Sequence, residues 1–165
     1  DFIFGLTNSV QYRNWSLSFF FQGSVGNDVF NATRIDLEGM FDSKNQSVAV
    51  LRRWTPDNRI TDIPKAIGGG NTFNVYNSTR FVEDGSYVRL KSLTLSYDMK
   101  NSFLKKAGIQ TLRLYSTGQN LLTFTKYKGF DPEVNAFGAS STVLGVDYGT
   151  YPQSVTVTAG FNVQF

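Results

Sequence analysis

The sequence has no cysteine and no histidine, and only four prolines and two methionines among its 165 residues. Without cysteine there is no disulfide, thiolate metal site or cysteine nucleophile. Without histidine, the usual imidazole base and the commonest metal ligand are missing too. There is also no Gly-x-Ser-x-Gly elbow, no run with metal-ligand spacing and no credible carboxylate pair, so no enzyme, metal site or cofactor is expected. Long apolar runs are lacking. The longest, VAVL at 48–51 and the three phenylalanines at 19–21, fall far short of the roughly 20 residues of a membrane helix. A surplus of one charge sign is lacking as well: 16 basic residues against 13 acidic ones leave a net charge of +3, scattered along the chain. Nucleic acid is therefore not an expected partner. Asp1 opens straight onto Phe2, Ile3 and Phe4, with no basic segment followed by an apolar one. No secretory leader is expected in these residues, and the chain reads as part of something longer.

What the sequence does have is aromatic weight, with 15 Phe and 8 Tyr, together with 15 Gly. That mixture leans toward β structure. Alternation of apolar and small polar residues is the dominant signal, since successive strand residues point to opposite faces. Phe2, Phe4, Leu6, Val10 and Tyr12 share one parity, and Trp15, Leu17, Phe19 and Phe21 another, with a tight turn at Arg13 and Asn14 between them. In the final stretch Val155, Val157, Ala159, Phe161, Val163 and Phe165 alternate with Thr156, Thr158, Gly160, Asn162 and Gln164. Five strands are expected, near 2–12, 15–24, 86–98, 110–126 and 153–165.

Two parity conflicts interrupt this pattern. Leu93, Leu95 and Tyr97 share a parity with Arg89 and Lys91, while Val88 and Leu90 take the other. One extra residue flips the faces, so a β-bulge is expected at Lys91 and Ser92. In the fourth strand Ser116, Gly118 and Asn120 occupy the otherwise apolar parity. Either a second bulge shifts the register there or protein covers the patch.

The connections alternate short and long. The long ones cover roughly 25–85, with helical spacing at Ile35, Leu37, Met40 and Phe41 and again at Val48, Val50 and Leu51, and roughly 128–151. Short turns on one side and long loops on the other match outer-membrane barrels, as do strands of about ten residues. Alternation alone fits equally a soluble β-sandwich module that binds carbohydrate, and a secreted adhesin domain is a third possibility. Three features favour the barrel. Tyr12, Trp15, Tyr97 and Phe165 fall near the short-turn side, as an aromatic girdle would. Arg113 takes the polar parity. Five strands are too few to close a barrel, whose minimum is eight, so a larger parent is implied.

RRWTPDNRITDIPKA, FVEDGSYVRLKSLTLSY, LRLYSTGQNLLTFTKYKGFDPEV and GVDYGTYPQSVTVTAGFNVQF resemble, in order and spacing, the C-terminal end of the SusC/RagA family of TonB-dependent outer-membrane transporters of Bacteroidetes. The resemblance implies an all-β, antiparallel transmembrane barrel of about 22 strands. Residues 1–165 would supply its last five strands and two long extracellular loops, one partly helical; the plug and TonB-contacting segment lie outside them. It further implies import of oligosaccharides or peptides across the outer membrane, coupling to TonB through the missing N-terminal part, and a SusD-like lipoprotein partner over the mouth. Phe161, Val163 and Phe165 would form the strand signal read by the outer-membrane assembly machinery; the plain alternative is that Phe165 fills a core.

Candidate contacts for substrate or lid are Trp54, Asp131, Glu133, Asn135, Asp147, Tyr148 and Tyr151. Carboxylates beside aromatics suit sugar binding, or a hard cation such as Ca²⁺ through oxygen ligands. The favoured reading is plainer: a loop packed on its neighbours, with Asp131 and Pro132 in a turn. Arg52 and Arg53 beside Trp54 fit a ligand or lid contact, or an anchor to the barrel rim. The sequons at Asn31, Asn45 and Asn77 are taken as chance, and the glycines at 68–70 lack the lysine and strand-to-helix setting of a phosphate loop.

Overall fold

The computed structural model describes residues 1–69, 72–99, 104, 106, 108–134, 136 and 144–165. In chain order the elements are β1 (Phe2–Tyr12), β2 (Trp15–Val25), β3 (Asp28–Asn31), α1 (Thr33–Glu38), β4 (Val82–Asp84), β5 (Tyr87–Met99), β6 (Thr111–Thr125), β7 (Val146–Asp147) and β8 (Thr156–Gln164). They fall into two compact units, one comprising Asp1–Asn27, Gly85–Lys126 and Pro152–Phe165, the other Asp28–Asp84 and Tyr127–Tyr151.

The first unit is a single antiparallel sheet in the order β1-β2-β5-β6-β8. Cross-strand partners share a face, so the register shows what each face carries. Val10, Leu17, Leu95 and Ser116 lie in one row; Tyr12, Trp15, Tyr97, Leu114 and Phe161 lie in the next. On this face Leu6, Phe124, Val157 and Phe161 are 55%, 62%, 69% and 68% exposed. An antiparallel sheet that buries one face in a soluble core would cover such residues. The opposite face is polar. Thr94 and Thr117 hydroxyls meet at 3.0 Å, Arg89 Nε donates to Thr123 Oγ1 at 2.8 Å, and Arg113 Nη2 donates to Asp98 Oδ2 at 2.9 Å. Among the described residues no helix is long and apolar enough to cross a membrane.

Both parity conflicts meet a break in register, but only the first is resolved by it. Phe20 pairs with Ser92 and Phe21 with Leu90, which leaves Lys91 as the expected extra residue. Leu90 pairs with Leu122 and Ser92 with Gln119, so β6 carries an extra residue at the same level. There Asn120 takes a left-handed conformation, φ 52°. Because the pairing passes over both Asn120 and Leu121, Leu122 and Phe124 stay on the same apolar face as Leu114, Ser116 and Gly118, and Leu121 folds over Gly118: a Cβ on that glycine would stand 2.7 Å from the Leu121 methyls. A second break is present, but it lies beyond Ser116 and Gly118 and leaves both on the apolar face, Ser116 beside Leu95 and Gly118 beside Leu93; it is the Leu121 side chain that covers Gly118. At the short-turn end the Trp15 and Tyr97 rings pack 4.7 Å apart, and the Arg13 guanidinium lies 5.3 Å from the Tyr12 ring centre.

The second unit centres on β3, which pairs antiparallel with β4 and parallel with β7. Strands this short carry too few residues to show a period, so sequence reading leaves them as loop. Val29, Tyr127 and Val134 form a small buried cluster. The helical spacing from Ile35 to Phe41 yields only α1, six residues long. It stops because Met40 adopts φ 53°, a conformation from which an L-residue cannot continue a right-handed helix. The second expected helical patch, around Val48 and Leu51, is a 3-10 turn, Val48–Arg52, whose Ala49 amide donates to the capping Ser47 Oγ at 3.2 Å.

Candidate functional site

The charge in the second unit is concentrated around α1. Arg34 and Glu38 stand four apart on one helix face, the spacing at which side chains meet. Arg34 donates from Nε and Nη2 to both Glu38 oxygens at 3.0 Å each, and from Nη1 to Glu83 Oε1 at 2.7 Å. Arg80 Nη2 reaches Glu38 Oε2 at 2.9 Å, and the fully buried Phe81 ring lies 5.1 Å from its guanidinium. Burial pulls the Arg34 pKa down, but hydrogen bonds and charge from Glu38 and Glu83 outweigh it and the net shift is upward. Arg80 goes the other way: burial dominates and lowers it. This network fixes α1 against β4 and leaves its members little freedom for substrate.

A second buried pair ties β7 in place. Tyr127 donates its hydroxyl to Asp147 Oδ2 at 2.6 Å, and Asp147 Oδ1 accepts from the Thr150 amide at 3.1 Å. Burial first, then the Asp147 carboxylate, push the Tyr127 phenol well above its ordinary pKa.

The residues singled out from sequence are therefore dispersed. Asp147 is 2% exposed and Asp131 4%. The Asp131 carboxylate accepts from the Glu133 amide at 2.9 Å, an Asx turn. Tyr148 is exposed, with its hydroxyl on Asp36 Oδ2 at 3.0 Å, and Tyr151 is 84% exposed. Trp54 lines a cleft of about 440 Å³ with Asp62, Lys65, Phe73 and Arg80, and the Lys65 ammonium lies 5.9 Å from its ring. Arg52 grips Asp62 through Nε at 3.1 Å and Nη2 at 2.9 Å. Asn135 lies outside the described residues. Phe161 and Phe165 are exposed and Val163 is half-buried, at β8 and just beyond it, on an edge of the first unit's sheet. Among the described residues no group of three or more acidic side chains could hold a metal ion.

A separate cavity of about 410 Å³ is lined by Asn31, Leu37, Arg52, Lys128, Phe130 and Asp147, among others. Of these, sequence reading had marked only Arg52 and Asp147 as contacts. Asn31 figured only as a sequon, and at 3% exposure it is too buried to carry a glycan. No local signal links Asn31 to Lys128, since only the fold brings them to one cavity.

No protein-family model matches the chain. It is similar to the TonB-dependent receptor P3 of Formosa agariphila, at 42% identity over 169 aligned residues that take in the whole chain and 16% of that protein. It is also similar to the TonB-dependent receptor SusC of Bacteroides thetaiotaomicron, at 28% identity over 172 residues, the whole chain and 15% of that protein. Among solved structures, the RagAB peptide importer in its closed-closed state superposes with a TM-score of 0.81 at 33% identity, over 99% of this chain and 17% of that one. The chain thus spans less than a fifth of the length of the relatives it matches.

Proposed function

Since this chain belongs to the SusC-type TonB-dependent receptors, as a stretch of their transmembrane β-barrel in the outer membrane, we propose that the complete protein is an active importer of oligosaccharides or peptides. The observation that carries the reading is the two-faced sheet: exposed Leu6, Phe124, Val157 and Phe161 on one side, and hydrogen-bonded Thr94, Thr117, Arg89 and Thr123 on the other. Such a sheet is stable where hydrocarbon meets the first face and an aqueous lumen the second. The energy would come through TonB, from parts of the protein outside these residues, and a SusD-like lipoprotein would cover the loops.

In this reading the exposed Trp54 cleft, Tyr148 and Tyr151 are the residues offered to substrate or lid, together with Glu133 and Asn135. Asp131 and Asp147 shape the loop that presents them. Phe161, Val163 and Phe165 line an edge strand, and an edge with unpaired backbone groups is a template for strand addition, the event that assembly machinery exploits.

The test is uptake by cells expressing the full-length receptor, supplied in parallel with a labelled oligosaccharide mixture and a labelled oligopeptide mixture. One mixture should enter, with uptake lost on deleting TonB and reduced on deleting the companion lipoprotein. Uptake of neither, or uptake indifferent to TonB, would overturn the proposal.

A further inference from the structure

The cavity bounded by α1, the Val48–Arg52 turn and residues 128–130 holds a polar group with nothing to bind. Asn31 is 3% exposed, lines the cavity, and its Oδ1 has no hydrogen-bond partner. A buried carbonyl oxygen in that position costs free energy unless something donates to it. Its acidic neighbours are already committed: Asp147 to Tyr127 and the Thr150 amide, and Glu38 to Arg34 and Arg80. Lys128 adds a cationic side chain to the same lining, the guanidinium of Arg52 being engaged by Asp62, and Phe130, 76% exposed, adds an apolar plate. The volume of about 410 Å³ lies within the range of small-ligand sites.

We propose that this cavity is a binding subsite for a carboxylate-bearing ligand unit that carries an O–H or N–H donor beside its acid group. The donor serves Asn31 Oδ1, the carboxylate serves Lys128, and the unit's carbon skeleton lies against Phe130. Two sources share this chemistry, a sugar acid and an N-acylated amino acid. The inference rests on the importer reading for its purpose and on the cavity alone for its chemistry.

The experiment measures binding of galacturonate, N-acetylglycine and their neutral counterparts galactose and N-acetylglycinamide to the full-length receptor in lipid nanodiscs, by calorimetry and saturation-transfer NMR. One acid should bind about tenfold more tightly than its neutral counterpart, and Lys128→Gln should abolish that preference. Asn31→Leu should weaken the same acid about fivefold without lowering the melting temperature, because an orphan acceptor stabilises nothing. The acid that binds identifies the source. Acids binding no better than neutral compounds, a preference that survives Lys128→Gln, or a fall in melting temperature with Asn31→Leu at unchanged affinity would each overturn the site. If these binding results hold while cells import neither mixture, the importer reading falls and the subsite stands; TonB-dependent import without any acid preference is the converse.

Discussion

Tyr127, the second residue after β6, donates its hydroxyl to Asp147 in β7 across 2.6 Å, in an environment where the tyrosine is 6% and the aspartate 2% exposed. The bond closes the second long loop on itself, and Asp147 also ties it to the first, its backbone carbonyl accepting from the Ala32 amide at 2.8 Å. Removing the hydroxyl with Tyr127→Phe leaves a buried carboxylate short of a partner and should cost about 1–3 kcal/mol of local stability. Hydrogen exchange in the full-length receptor should show faster exchange at the Phe30 and Ala32 amides, which bond to Gly145 and Asp147, with β5 and β6 unchanged.

The same pair predicts a pH dependence. Burial and then Asp147 raise the Tyr127 phenol above its ordinary value. A phenol held above its unfolded pKa of about 10 contributes its full stabilisation below that pH, and the contribution is lost as pH rises through the folded pKa. Loop protection should therefore be flat through neutral pH and fall only above about pH 10. Tyrosinate absorbance of the native receptor between about pH 10 and 11 should be the same with and without Tyr127→Phe. A smaller signal in the variant would show that Tyr127 titrates normally.

The two faces of the sheet predict opposite responses to charge. Leu95, flanked in register by Leu17 and Ser116, sits mid-strand on the exposed apolar face, while Thr158, paired with Thr117, sits on the polar one. Leu95→Arg should cost about 2–4 kcal/mol in lipid vesicles, and Thr158→Arg should stay within about 0.5 kcal/mol. Denaturant unfolding from vesicles gives both numbers, and equal costs would mean that the apolar face does not meet lipid.

At the register break, Asn120 combines φ 52° with a side-chain hydrogen bond from Nδ2 to the Ser154 carbonyl at 3.1 Å. Glycine and valine both lose that bond, so the difference between Asn120→Gly and Asn120→Val isolates the backbone. Valine should be less stable than glycine by about 1–2 kcal/mol, the cost of a left-handed residue with a branched Cβ. Unfolding midpoints of the two variants that coincide would place the bulge elsewhere.

These elements differ in how far sequence reveals them, and the reason is periodicity. The five long strands repeat every second residue over 9 to 15 positions, enough for each side chain's face to be read, and the conflict at Lys91 announced its bulge in the same terms. Gly118 was legible only as an anomaly, since its filler is Leu121, three residues on and across a break. In the second unit, Asp147 stood out as a carboxylate among tyrosines, but its partner Tyr127 lies 20 positions away, in what reads as the tail of a strand. Arg34 and Glu38 carry a visible i,i+4 spacing; Glu83 and Arg80 join them through contacts that no local pattern encodes.

That junction supplies the last prediction. Glu38 is 6% exposed and receives Arg34 twice at 3.0 Å and Arg80 once at 2.9 Å. Neutralising it with Glu38→Gln leaves Arg34 with Glu83 and takes from Arg80 the carboxylate it bonds, beside the buried Phe81 ring. Removing one member of a buried ion network typically costs about 3 kcal/mol or more, because the stranded charge is still desolvated. Loop protection around α1 and the Thr79–Phe81 turn should drop accordingly, while the barrel strands keep theirs. Arg80 is already lowered by burial and by the neighbouring Arg34 charge, so it is the cation that gains most from being removed in turn. The double variant Glu38→Gln/Arg80→Gln should therefore recover part of the loss, a positive coupling readable in a double-mutant cycle. Strict additivity of the two changes would mean that Glu38 and Arg80 do not act as one network.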